Sequence, residues 1–455
     1  MVQYAPVMGV QSVSLFGIGK LGAVIAGCIA DRGIPVLAVD VSQRVVDLIN
    51  QGKSPVFEPG VDELIWKNRA RLSATLNVEE AVLQTAISFV IVPTPSDEEG
   101  GFSLRYVIES CRSIGEALRK KSNFHLVVIT STVMPGSTGG RLTNTLEESS
   151  GKRCGVDFGI CYSPEFVALG TVIRDFMNPD FLLIGESDQR SGELLSAFYR
   201  EVCNGTPPIA RLSFVNAELA KLSVNTFVTT KITFANMLAR ICERLPGADV
   251  DSVTSAIGLD SRIGGKYLKG AIGYGGPCFP RDNLALGALA HRLGITANLA
   301  EATDHANRAE VNKLATLVRS KCAGNESVGI LGLAYKSGTN VVEESQGLLL
   351  AQALAAREVQ VVLYDPAGME NAAAVLPQTV KFAKSMNECV ADTSVIVITT
   401  PWKEFAGLSP EVLTQGNRRR TVIDCWRMLG KSSIEQVADY IRLGTGPEQS
   451  GRLES

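Results

Sequence analysis

The sequence predicts an α/β protein in which two doubly wound domains are joined by a long central helix and a small helical domain. Three observations predict it. The segment QSVSLFGIGKLGAVIAGCIADRGIPVLAVD reads as strand, glycine turn, helix and strand. A breaker-free and largely apolar stretch, RLSFVNAELAKLSVNTFVTTKITFANMLARICERL, runs from 211 to 245. The last third then starts over, because ESVGILGLAYKSGTN, SQGLLLAQALAARE and VQVVLYDP read as strand, helix and strand again. The expected organisation is a first α/β domain over 1–207, a helical domain over 208–312 and a second α/β domain over 313–442. The polar tail over 443–455 is expected to be disordered.

At 455 residues the chain exceeds a single core. A hydrophobic fraction of 45% and a charged fraction of 20% are ordinary for a soluble globular protein. No apolar run approaches the ~18 residues of a membrane span. The opening MVQYAPVMGVQSVSLFG lacks a basic segment followed by a long apolar one, so no signal peptide is expected. A net charge of −3 argues against a nucleic-acid partner. The ten cysteines are scattered without a CxxC pair, and only His125, His291 and His305 accompany them. That pattern argues against a zinc site or a disulfide framework, and for reduced thiols in a cytoplasm. Scarce histidine leaves acid–base chemistry to Asp, Glu or Lys.

The first unit is the βαβ dinucleotide fingerprint in its required context, hence Rossmann-like. Gly17-Ile18-Gly19-Lys20-Leu21-Gly22 makes the tight turn and lets backbone N–H groups and a helix N-terminus approach a pyrophosphate. Asp40 closes the second strand, where a carboxylate accepts from a ribose diol and repels a 2′-phosphate, which favours NAD. The competing reading is a glycine turn that only packs helix on sheet. AISFVIVPTPSD, HLVVITSTVMPGSTGG and FGICYSPEF follow as buried strands. Ligands bind at the C-terminal ends of such strands, so Thr94, Thr132 and Glu165 are candidates by position. Capping and turn formation are the commoner fates of Ser and Thr there.

The stretch 211–245 reads as one long buried helix, a domain connector or a subunit interface. Lys221 and Asn225 share one of its faces, and a lysine in so apolar a helix needs a partner or a task. An ion pair and a functional role stay equally open there. In GYGGPCFPRD, residues 273–282, the pattern from Pro280 to Leu293 predicts a helix stopped by Gly294. Cys278 then sits just before a helix N-terminus, which favours a thiolate, and Asp282 falls in the first turn. In the last third SVIVITTPW and TVIDCW add strands, but no full GxGxxG recurs, so a second dinucleotide is not expected.

A dinucleotide domain, a cysteine at a helix start and few histidines are explained together by a dehydrogenase with a nucleophilic thiol. The residues carrying this constellation resemble the UDP-glucose 6-dehydrogenase family, within the UDP-glucose/GDP-mannose dehydrogenase superfamily of nucleotide-sugar dehydrogenases. The resemblance runs from about residue 12 to 430. It rests on GYGGPCFPRD, Ala217-Glu218-Leu219-Ala220-Lys221 with Asn225, Ser131-Thr132-Val133, Ser163-Pro164-Glu165-Phe166 and Gly332-Leu333-Ala334-Tyr335-Lys336.

The resemblance implies oxidation of a nucleotide-linked hexose, UDP-glucose first, at C6 to the uronic acid with two NAD reduced. Cys278 would be the nucleophile and Lys221 and Asn225 would stabilise oxyanions. Asp282 with Thr132 and a water would manage protons, and Glu165 would activate water for thioester hydrolysis. NAD would be held by the turn from Gly17 to Gly22 with Asp40 and Arg44, and by Thr94, Ser131 and Thr132. Glu165, Phe166, Lys221, Asn225, Tyr267, Leu268, Lys269, Gly273, Gly275, Phe279 and Lys336 would hold the substrate. Arg262 would reach it from a neighbouring subunit, which implies a homodimer built around the long helix. No metal and no nucleic acid or membrane partner is implied. Three positions depart from the family pattern: Arg281 stands for a lysine, Leu169 for a second glutamate and Glu343 for an arginine. These leave dTDP-glucose, UDP-N-acetylhexosamine and GDP-mannose as alternative substrates. A two-electron β-hydroxyacid dehydrogenase explains neither the cysteine loop nor the second α/β half. An idle nucleotide-sugar-binding protein leaves Cys278, Lys221, Asn225 and Asp282 unexplained.

Overall fold

Apolar strands buried on both faces set the architecture. The computed structural model describes residues 12–322, 324, 326–416 and 419–448. It divides the chain into two compact units, up to Ser223 and from Val224 onward. The first unit carries β1 (Val13–Phe16), β2 (Val36–Val39), β3 (Leu72–Thr75), β4 (Ile87–Val90), β5 (His125–Ile129), β6 (Phe158–Tyr162), β7 (Leu182–Glu186) and β8 (Ile209–Leu212). Their order is β3-β2-β1-β4-β5-β6-β7-β8, parallel except where β6 meets β7. Alternate residues feed two cores: Leu126 and Val128 join Val13 and Leu15 on one face, and Val127 and Ile129 join Phe16 and Val90 on the other. Double coverage of this kind is why the strands read as continuous apolar runs. Strand order reverses between β1 and β4, so a crevice opens at their C-terminal ends.

The long helix spans Phe214–Cys242. It starts later than the apolar run predicts, because Arg211 and Leu212 complete β8 alongside β7. It is also not wholly buried. Val215, Leu219, Phe227, Phe234, Met237 and Ile241 are exposed, at spacings that keep them on one stripe.

In the second unit the helices Val250–Gly258, Phe279–Arg292 and Asn298–Ser320 precede a second sheet. That sheet contains β9 (Val328–Leu331), β10 (Val361–Tyr364), β11 (Lys381–Phe382), β12 (Val395–Ile398), β13 (Arg420–Asp424) and β14 (Ala438–Arg442). It is parallel throughout with order β11-β10-β9-β12-β13-β14, which repeats the order of β1–β6. Arg420 is buried at the start of β13, where its guanidinium donates to the carbonyls of Val390, Ala391, Thr393, Leu413 and Gln415. The expected disorder of the tail fails for residues 443–448. Gly444, Gly446 and Pro447 exchange backbone hydrogen bonds with Val250, Ala248 and Gly247, because the chain returns along the end of the long helix. Residues 449–455, and the first eleven residues of the opening segment, lie outside the described residues.

Candidate active site

The first unit builds the dinucleotide turn from steric necessity. Gly17 has φ of +94°, and a Cβ there would lie 2.5 Å from the Ile91 carbonyl oxygen. A Cβ on Gly22 would lie 1.9 Å from the Gly17 carbonyl oxygen, so the helix Gly22–Asp31 can approach β1 only with glycine at that position. Gly19 differs, since nothing lies within 4 Å of its missing Cβ. Its bareness serves no internal packing, which fits the close approach of a dinucleotide to the backbone. Ile18 is buried in the turn, Leu21 is half-buried and Lys20 is exposed. Asp40 accepts from the Ile18 N–H at 2.8 Å and from the Ser42 N–H at 2.9 Å, so the acid also braces the turn. Arg44 stands exposed in the first turn of the helix Gln43–Asn50.

Thr94, Ser131 and Thr132 gather at the ends of β4 and β5. Ser131 Oγ accepts from the Val92 N–H at 2.9 Å and donates to the Val92 carbonyl at 2.7 Å. Thr94 Oγ1 donates to the Thr132 carbonyl at 2.8 Å. Both hydroxyls therefore tie the loops that shape the crevice. Glu218, named in the Ala217–Lys221 motif but given no role there, braces the same region: its buried carboxylate accepts from the N–H groups of Gly136 and Thr138 at 2.6 and 2.8 Å.

Glu165 follows β6. Some of its surface is open, yet enough protein surrounds it that desolvation pushes its carboxyl up to about 7, against an opposing pull from Lys221. Lys221 is buried on the long helix; its ammonium donates to the Glu165 carbonyl at 2.5 Å and lies 4.5 Å from the centre of the Phe166 ring. A cation is thus fixed beside a carboxyl that titrates near neutrality. Leu169 joins the partly buried apolar groups packed on the core around Val13 and Leu15.

The second unit builds the cysteine loop. Cys278 caps the helix Phe279–Arg292, with Pro280 in its first turn. All ten cysteines are free, and Cys278 alone is exposed while Cys154 and Cys322 are half-buried and the rest buried. Asp282, fully buried, accepts from Asn225 Nδ2 at 2.6 Å and pairs with Arg281 at 3.4 Å. The structure therefore joins two of the expected catalytic residues directly.

The loop glycines also have a packing task within the protein. A Cβ on Gly273 would lie 2.6 Å from Asn307 Oδ1, one on Gly275 2.2 Å from the Glu344 carbonyl oxygen, and one on Gly276 2.7 Å from the Tyr335 ring. These glycines admit the protein's own segments against the loop. Glu343 also enters here through its backbone, whose carbonyl accepts from the Gly276 N–H at 2.9 Å.

Phe279 makes edge contacts with Tyr267 and Tyr274. Tyr267 holds φ of +64°, an uncommon conformation for a non-glycine residue. With buried Leu268 and exposed Lys269 it borders a cleft of about 520 Å³, also lined by Asp251, Thr254 and Leu259. Arg262 is exposed and pairs with Asp260 at 2.6 Å. Lys336 lies half-buried in the turn after β9. That turn repeats the first unit's joint: a Cβ on Gly347 would lie 2.0 Å from the Gly332 carbonyl oxygen. Asp365 closes β10 and accepts from the N–H groups of Leu333 and Ala334.

Models of the UDP-glucose/GDP-mannose dehydrogenase family match this chain in three parts: the NAD binding domain over 11–203, the central domain over 215–309 and the UDP binding domain over 329–431. The UDP-glucose 6-dehydrogenase AglM of Haloferax volcanii is 36% identical over 92% of this chain and 97% of its own length. A GDP-mannose 6-dehydrogenase of Azotobacter vinelandii is 39% identical over 78% of this chain and 80% of its own length. The solved structure of a UDP-glucose dehydrogenase from Pyrobaculum islandicum matches with a TM-score of 0.88 at 32% identity, covering 97% of this chain and all of that one.

Proposed function

Because the chain belongs to the UDP-glucose/GDP-mannose dehydrogenase family and carries its NAD binding domain, we propose that it oxidises the C6 alcohol of UDP-glucose to the carboxylate of UDP-glucuronate. The observation that carries this reading is the lone exposed thiol, Cys278, at a helix start whose first turn holds Asp282, bonded there by Asn225 of the long helix. NAD, when bound at the turn of Gly17, Gly19 and Gly22, supplies the hydride acceptor, and two are consumed per sugar.

Loss of the C6 hydroxyl proton together with a hydride from C6 gives the aldehyde, and Asp282, with Thr132 and a water, takes that proton. Cys278 Sγ adds to the aldehyde carbon to give a thiohemiacetal, and loss of its hydroxyl proton with a second hydride leaves a thioester. Lys221 and Asn225 stabilise the oxyanions, a contribution on the order of 3 kcal/mol for each fixed donor in a dry site. Glu165 accepts a proton from the water that hydrolyses the thioester, releasing the carboxylate and the thiol. Thr94, Ser131, Asp40 and Arg44 complete the cofactor side. Phe166, Tyr267, Leu268, Lys269, Gly273, Gly275, Phe279 and Lys336 form the substrate side, with Arg262 supplied by the second subunit of a homodimer.

Similarity over nearly the full length of a UDP-glucose 6-dehydrogenase supports UDP-glucose. The 39% identity to a GDP-mannose 6-dehydrogenase favours GDP-mannose as the second reading. A panel of UDP-, dTDP- and GDP-sugars with NAD separates them. UDP-glucose is expected to give the highest kcat/KM and two NADH per sugar. A ratio of one would sink the four-electron reading. Cys278→Ala is expected to abolish turnover while NAD still binds, and an active variant would refute the thioester.

A further inference from the structure

We propose that Asn236 and Asn307 are positioning residues, two amide clamps that hold the loop before Cys278 in register. The inference rests on Cys278 being the nucleophile. Each side chain pairs with backbone at both its oxygen and its nitrogen. Asn236 Oδ1 accepts from the Ala271 N–H at 2.8 Å, and its Nδ2 donates to the Ile272 carbonyl at 2.9 Å. Asn307 Oδ1 accepts from the Tyr274 N–H at 2.7 Å, and its Nδ2 donates to the Tyr274 carbonyl at 3.0 Å. Both asparagines are buried, as are Ala271, Ile272 and Tyr274, so removing an amide takes a partner from buried backbone groups, although the Tyr274 carbonyl keeps Gln346 Nε2 at 3.3 Å.

The clamps belong to a larger arrangement. Asn225, Thr229, Asn236 and Arg240 recur at helical spacing along one face of the long helix. Arg240 donates to the Ala271 carbonyl at 2.8 Å, on the arm that leads into the loop. Thr229 bonds Asn283 and Asn225 bonds Asp282, on the arm that leads out. Asn283 also donates to the Tyr274 hydroxyl at 2.8 Å and so links the two arms. Asn307, on the helix Asn298–Ser320, secures the last residue before Gly275 and Gly276. Gly273 must lack a side chain because Asn307 Oδ1 occupies that space. Register set at Ala271 and Tyr274 is transmitted through Gly275, Gly276 and Pro277 to the sulfur. A displacement of about 1 Å at a reacting group costs on the order of 10²-fold in rate.

The test compares Asn307→Ser, Asn307→Asp and Asn236→Ser with the full-length protein, assayed below each variant's melting midpoint. Asn307→Asp preserves volume and the acceptor for the Tyr274 N–H but turns an anionic oxygen toward the Tyr274 carbonyl. All three are expected to lower kcat about 10- to 100-fold with the KM for NAD within about twofold. The pH profile of iodoacetamide alkylation at Cys278 is expected to shift in each. If folded variants keep the wild-type kcat and alkylation profile, or lose activity only in proportion to the unfolded fraction, the clamps are structural and the proposal falls. Where one variant does not fold, the remaining two decide, with Asn236→Ser acting on the loop independently of Asn307. Cys278→Ala run in parallel isolates the premise: turnover by that variant overturns the nucleophile reading whatever the asparagines do.

Discussion

Glu165 shows how far one residue can be read and where reading stops. Its place after a buried strand marks it as a candidate from sequence alone. Its titration near pH 7 does not follow from any local pattern, because the desolvation comes from chain far away and the opposing charge from Lys221. The sign is definite for both stability and activity. A carboxyl raised in the folded state loses folding stability as pH climbs from its unfolded range toward 7. In the proposed mechanism the same group serves as a general base only once ionised, so thioester hydrolysis is expected to rise through about pH 7 and level off. Glu165→Gln should slow hydrolysis about 10²- to 10⁴-fold, remove that pH limb and let an acyl group accumulate on Cys278. Intact-protein mass spectrometry after mixing with substrate checks this, and an unmodified thiol with wild-type turnover would contradict it. The bracing roles of Asn236, Asn307 and Glu218 are not legible in sequence for a related reason. A single Asn or Glu inside a helix has no signature when its partners are other segments' peptide groups. The packing task of the loop glycines is hidden likewise: their motif is local, but the Glu344 carbonyl and the Tyr335 ring that require them are distant in the chain.

Among elements, the central strands were legible and the edges were not. β1, β4, β5 and β6 are apolar on both faces and bounded by turns. β3 (LSAT), β8 (IARL) and β14 (ADYIR) lie at or near the sheet edges and mix polar and apolar residues, so no period marks them. The central strands carry one polar thread of their own. Thr85 bonds Ser14, Ser14 bonds Ser88 and Ser88 bonds His125 Nε2, all buried, across β1, β4 and β5. Burial pushes the His125 imidazole down to about 3, so it stays neutral in the fold while the unfolded chain takes up a proton near 6.5. This contribution is fully present above about 6.5 and is lost as pH falls toward 3. The melting temperature is expected to drop across that window, by the equivalent of roughly 2–5 kcal/mol. His125→Gln should melt lower at pH 7 and show a shallower acid dependence; an unchanged slope would mean other groups govern it.

For the molecule as a whole, the fold class read from sequence holds: two doubly wound sheets and a long helix between them in the chain. The length of that helix was legible because nothing in 211–245 breaks it. Its exposed apolar stripe was not, since an all-round apolar composition does not say which side a neighbour covers. In the proposed homodimer, this stripe is the surface expected to pack against the second copy. Phe227→Asp, on the stripe, is expected to weaken association at least tenfold in light-scattering measurements, and an unchanged mass would place the interface elsewhere. The second sheet conceals its kinship to the first because its glycines are separated. Gly17 and Gly22 meet across a short turn, whereas Gly332 and Gly347 meet in the same way around a much longer one. The joint between strand and helix is thus closed by two bare backbones touching, and it is indifferent to how much chain passes between them. The segment from Leu333 to Gln346 is thereby released from holding the sheet together and is shaped by the cysteine loop instead, delivering the Tyr335 ring and the Glu343 and Glu344 carbonyls to Gly275 and Gly276.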